Sequence, residues 1–137
     1  MIMQIALSDK RGLTLLEVMI ALVILLLVSL ALMQTALVSI NSNMTNIMRD
    51  EAVSIAEQSM NEARNTPFTN LVGTSNATVL RNFRNVTNFP YTVTTAVADL
   101  NLDNKQVNIT VTWEWKEKTV ANGNPYTHRI STILRRQ

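Results

Sequence analysis

Residues 18–28 run Val-Met-Ile-Ala-Leu-Val-Ile-Leu-Leu-Leu-Val without a charged or hydrogen-bonding side chain, and Ser29 interrupts before the apolar run resumes to Met33. From Leu13 to Met33 there are about 21 residues, which at about 1.5 Å each cover a hydrocarbon core of roughly 30 Å. One membrane-spanning helix is predicted there. Beyond Met33 the apolar positions thin to one face: Leu37, Ile40, Met44, Ile47, then Ala52, Ile55, Ser59 or Met60, and Ala63. Their helical steps, with Asn41, Arg49, Asp50 and Glu57 between them, continue the span as an amphipathic helix. Neither Gly nor Pro occurs from Leu13 to Thr66, and Pro67 disfavours helical geometry at the residue before it. A single helix over residues 13–66 follows, membrane-spanning over 13–33 and amphipathic over 34–66.

In the remainder, residues 67–137, the period changes. Residues 68–88 are irregular, with Gly73, many Asn and Thr, and isolated Leu71, Val79, Leu80, Phe83 and Val86, which reads as a loop with one short element. Residues 91–98 then alternate, and so do Val107, Ile109, Val111, Trp113 and Trp115 against Asn108, Thr110, Thr112 and Glu114. Asn122-Gly123 marks a turn before Tyr126, His128, Ile130, Thr132 and Leu134, which share one parity. Three antiparallel strands are expected. A sheet with one apolar face needs a cover, and the amphipathic half of the helix is the one available, so the fold class is α+β.

Composition adds limits rather than chemistry. With 137 residues there is room for one modest domain and an anchor. The formal charge of +2 and the scattered basic residues give no nucleic-acid footprint, and without cysteine there is neither a disulfide framework nor thiolate chemistry. Charge matters at one place. Lys10 and Arg11 precede the apolar run, whereas the next basic residue is Arg49, so the positive-inside bias puts the N-terminus in the cytoplasm and the C-terminal part across the membrane.

An ordinary secretory signal would carry a small-residue cleavage site after its apolar run. Here the notable residues come before and inside it: Lys10-Arg11-Gly12-Leu13-Thr14-Leu15-Leu16-Glu17. A carboxylate within an apolar span is costly and calls for a partner or a proton, although at this depth Glu17 could also snorkel to the headgroups. The order basic pair, glycine, apolar residue, Thr, two apolar residues and Glu resembles the type IV prepilin cleavage motif, with Leu13 where the family most often has Phe. The resemblance implies a leader peptide over residues 1–12, cleavage between Gly12 and Leu13 by a prepilin peptidase, and N-methylation of Leu13. It gives Glu17 the role of meeting a neighbouring subunit's N-terminus during assembly. It also implies a pilin-like roll, other major and minor pilins and inner-membrane assembly proteins as partners, and residence in the inner membrane before entry into a pilus.

Residues 55–64, followed by Pro67-Phe68, look like the helix end of minor pilins of the pilus-modification type and of a related minor pseudopilin of type II secretion. The helix-kinking proline usual in major pilins is missing from the apolar run. The expected function is a structural minor pilin that initiates, caps or modifies a type IV pilus. The alternatives are a type II secretion pseudopilin, a DNA-uptake pilin, for which Arg81, Arg84, Arg129, Arg135 and Arg136 would have to form one patch, and a simple single-span anchor.

Other chemistry is sparse. Asp99, Asn101 and Asp103 alternate like the start of a calcium loop, but Asn104 and Thr110 stand where that loop would want Gly and Glu, so a polar β-turn is the favoured reading and no cofactor is expected. His128 is the sole histidine and has no Cys or second His to join it; a structural role is expected. Trp113 and Trp115 share the apolar parity and read as core. No G-x-S-x-G, phosphate loop or metal-ligand cluster occurs, and an enzyme is not expected.

Overall fold

A computed structural model of the chain describes residues 10–84 and 86–136, with side chains from Thr14 onward. Residues 1–9, most of the expected leader, lie outside the described residues. One helix, α1 (Lys10–Asn65), is followed by a 3-10 turn (Phe68–Asn70) and four strands: β1 (Thr74–Phe83), β2 (Val86–Asn101), β3 (Asn104–Trp113) and β4 (Tyr126–Arg135). The chain divides into two compact units, Met1–Thr45 and Asn46–Gln137.

The first unit holds the apolar part of α1. An 18-residue window there has a mean hydropathy of 3.0 and none of it is buried, so by length and composition this helix can cross a membrane. Hydroxyls that break the apolar run are satisfied internally: Ser29 Oγ donates to Leu25 O at 2.8 Å and Thr35 Oγ1 to Ala31 O at 3.0 Å. Each bond runs back one turn, so neither hydroxyl needs water.

In the second unit the end of α1 packs on an antiparallel sheet of order β1-β2-β3-β4, an α+β arrangement of pilin-like layout. The helix buries Met48, Ala52, Ile55, Ala56, Met60 and Ala63, at steps of three and four apart from the adjacent Ile55 and Ala56, which keeps one face inward. Three of these are alanines, which let the helix axis approach the sheet. Opposite them lie Phe89, Tyr91 and Val93 of β2 and Val107, Ile109, Val111 and Trp113 of β3. The outer face is polar, with Thr78, Thr92, Thr112 and Thr127 aligned in one row across the four strands. Thr66 ends the helix: its N–H bonds Ala63 O and its hydroxyl bonds Glu62 O, after which Pro67 turns extended.

The sheet differs from the expected one in two places. Residues 74–83, expected within a loop, form the edge strand β1, paired with β2 over its length. Its first five side chains are exposed, so it has little apolar alternation to display; backbone pairing rather than burial makes it a strand. Trp115 lies beyond β3, which ends at Trp113. Lys116 has φ +55, and Trp115 and Lys118 exchange backbone hydrogen bonds in a tight turn of their own. The expected turn at Asn122-Gly123 is present, with Gly123 at φ +67, and Tyr126, His128, Ile130, Thr132 and Leu134 share the half-buried face of β4.

Candidate functional site

Gly12 and Leu13 lie in the first turn of α1. Glycine is among the weakest helix formers, by about 1 kcal/mol against alanine, so Gly12 weakens the first turn of α1. Glu17 stands four residues after Leu13, one helical turn on and on the same face. Its side chain is exposed among the exposed apolar residues Leu15, Leu16, Val18, Met19 and Ile20. A carboxylate so placed is costly in hydrocarbon unless it is protonated, reaches the headgroups or meets a cation at the same depth. The amine that cleavage would create at Leu13 is such a cation. Lys10 and Arg11 belong to the backbone of the same first turn.

The other candidates are dispersed. Asp99 is at the end of β2, Asn101 is its last residue and Asp103 sits in the two-residue turn to β3. Asn101 Oδ1 already accepts from the Asp103 N–H at 3.0 Å and from Asn104 Nδ2 at 2.9 Å, closing a polar turn. Among the described residues, no group of three or more His, Cys, Asp or Glu side chains comes together. His128 faces the helix side of β4 opposite Val111. The tryptophans join an aromatic cluster: Trp113 stacks on Tyr126 at 5.5 Å and lies 5.9 Å from Tyr91, and Trp115 lies 6.2 Å from Phe89.

The five arginines that a DNA-uptake reading would gather are separated. Arg81 is on the edge strand β1, paired with Glu51 at 2.8 Å and donating to Gln58 at 3.1 Å, and Arg84 follows in the β1–β2 turn. Arg129, Arg135 and Arg136 belong to the opposite edge, and Arg135 lies at the other end of the sheet, across from Asn104. Arg129 Nε is taken by Thr110 Oγ1 at 3.2 Å.

Two groups carry more than the sequence showed. Lys105 occupies an inward position of β3 and is only 8% exposed. Its ammonium donates to Leu71 O at 2.6 Å and Phe68 O at 3.0 Å, lies 4.8 Å from the Phe68 ring centroid, and reaches Asp99 at 3.6 Å. It thereby ties the helix-to-strand connection to the sheet. Tyr91 is fully buried and its hydroxyl donates to Met48 O at 3.1 Å. Burial pushes its pKa well up, nearby Glu51 adds to the rise, and Arg81 opposes it. A lysine at core parity looks like an ordinary polar position in sequence, and only its long stem hinted that it could be buried there.

Comparison with known families adds one finding. Residues 7–33 match the prokaryotic N-terminal methylation motif, a match that covers Gly12, Leu13 and Glu17 and supports a type IV pilin-like prepilin. No curated protein and no solved structure matches the chain.

Proposed function

We propose that the chain is a type IV pilin-like structural subunit, made as a prepilin, cleaved between Gly12 and Leu13, N-methylated at Leu13 and held in the inner membrane by α1 with its C-terminal module in the periplasm. The observation that carries this is the match over residues 7–33 at the head of an unbroken apolar helix. Alone, an apolar helix near an N-terminus is weak evidence, because soluble core helices and signal sequences also have that composition. The joint presence of the basic pair, Gly12 and Glu17 at their spacings distinguishes this helix from both. Glu17 then meets the new amine of a neighbouring subunit as helices bundle, which matches the charge with its opposite inside an apolar filament core.

Within that class the chain acts as a minor subunit that initiates, caps or modifies a filament. Support comes from the absence of Gly and Pro between Leu13 and Thr66, which leaves α1 without an encoded melting point, and from the helix-end wording of residues 55–64. A type II secretion pseudopilus would use the same anchor. Intact-mass analysis of the membrane-extracted protein tests the first step. A mature chain beginning at methylated Leu13 is expected, and one that keeps Met1 or Met3 overturns the prepilin reading. Quantitative mass spectrometry of sheared filaments tests the second. Low copy number beside another pilin is expected, and a chain that makes up most of the filament mass refutes the minor role.

A further inference from the structure

The sheet end where α1 stops carries a cationic, partly apolar depression that the anchor and the assembly contact do not use. A hollow of about 730 Å³ lies between the end of α1 and the end of β4, with Pro67, Phe68, Leu71 and Leu134 contributing apolar surface. Arg64, from the last turn of the helix, and Arg135 and Arg136, from the end of β4, line the same hollow. Among the described residues no ion pair joins any of these three arginines to a carboxylate, unlike Arg81 with Glu51 and Lys105 with Asp99. A second hollow, of about 530 Å³, shares Phe68 and Arg136 with the first and reaches Leu102; Lys105 and the exposed carboxylate of Asp99, which face each other at 3.6 Å, also line it, so the cationic excess comes from the arginines of the first hollow.

Two observations give the depression the chemistry of a docking surface. Leu102 is 88% exposed at the tip of the β2–β3 turn, and Ile133 is 61% exposed beside the arginines. A turn tip ordinarily takes a polar residue, and here Leu102 and Ile133 add apolar surface beside the arginines. The second is that Arg136 is held in place: its guanidinium carbon lies 5.3 Å from the Phe68 ring centroid, and Lys105 lies 4.8 Å from the same ring. A cation held over an aromatic ring loses less freedom on binding than a free one. Clustered arginines around an apolar floor are the usual receptor for acidic segments with apolar anchors.

With the C-terminal module outside the cytoplasm, as proposed above, we infer that this helix-end depression docks an acidic, apolar-anchored peptide segment of another extracytoplasmic protein. The charges steer the encounter and fix the carboxylates, and Phe68, Leu102 and Ile133 take the apolar side chains. Nucleic acid is disfavoured because the arginines of the other corner, Arg81 and Arg84, do not extend the patch, leaving a pocket rather than a phosphate track.

The test uses the full-length chain in an uncharged detergent and a fluorescent peptide of about twelve residues that alternates Asp or Glu with Leu and Phe. A version with Asn and Gln in place of the acids and a labelled single-stranded oligonucleotide serve as the other arms. The acidic peptide should bind, weaken with added salt, and lose about tenfold or more in affinity in the triple variant R64Q/R135Q/R136Q. Leu102→Ser should also weaken it, whereas Arg84→Gln should not. Circular dichroism and the thermal midpoint of each variant establish that the fold is retained. The inference is overturned if the acidic peptide binds no better than its amide version, if the triple variant retains the affinity, or if the oligonucleotide binds more tightly than the peptide through the same arginines.

Discussion

Replacing Lys105 by methionine keeps the aliphatic stem against the core and removes only the ammonium. Leu71 O and Phe68 O then lose their donor, and hydrogen bonds to a charged group contribute about 1.5–3 kcal/mol each. Part of that is returned, because the variant no longer buries a charge. A net loss of about 2 kcal/mol is therefore expected for Lys105→Met. Asp99 does not share in it: the pair is 3.6 Å long and the Asp99 side chain is 72% exposed, so water already satisfies the carboxylate. Asp99→Asn should leave stability near that of the parent protein. Urea unfolding of the full chain in detergent, followed through Trp113 and Trp115 emission, measures both variants. The midpoint of Lys105→Met should fall with an unchanged slope, and its thermal midpoint should drop by about 10 °C. A Lys105→Met variant within about 0.5 kcal/mol of the parent refutes the claim that the two carbonyls depend on this lysine. Equal losses in the two variants would instead assign the stabilisation to the ion pair.

Tyr91 gives a pH dependence. Its folded pKa lies above the unfolded phenol value of about 10, so the native state holds the proton more tightly and stability should decline as pH rises beyond about 10. Tyr91→Phe should flatten that decline in alkaline urea titrations while losing the bond to Met48 O, and a decline unchanged in the variant assigns it to other groups. Arg81 and Glu51 are each about one-third exposed, so Arg81→Met should cost about 1 kcal/mol or less, and a loss above about 2 kcal/mol contradicts a surface value. Glu17→Leu should insert and be processed normally but co-purify poorly with other pilins, and normal co-purification removes Glu17 from the assembly contact.

Legibility followed the number of independent constraints that a residue had to satisfy. Glu17 in an apolar run, four residues after Leu13, is conspicuous because each feature would be improbable without a use. The helix face at Ala52, Ile55 and Ala63 and the parities of β3 and β4 were equally readable, since one side of each element meets the core and the other meets water; the pattern pointed to Met44 and Ile47, however, where the structure buries Met48, and it did not single out Ala56. β1 escaped because it is held by its backbone at an edge, and composition does not record which backbone groups are paired. Lys105 escaped for the opposite reason: it obeys the parity of its strand and violates only the expectation about charge. The separation of Arg81 and Arg84 from Arg135 and Arg136 is a matter of strand order, which no local pattern contains.

The contact between Tyr91 and Met48 also bears on mechanical load. Tension applied to the packed segment of α1 would load the alanine-lined seam and the Tyr91 hydroxyl bond, because both hold that segment against the sheet. The Tyr91 hydroxyl bonds Met48 O, at the first buried residue of that seam, so it is one of the contacts such a load strains, while the buried apolar face from Met48 to Ala63 carries most of the resistance.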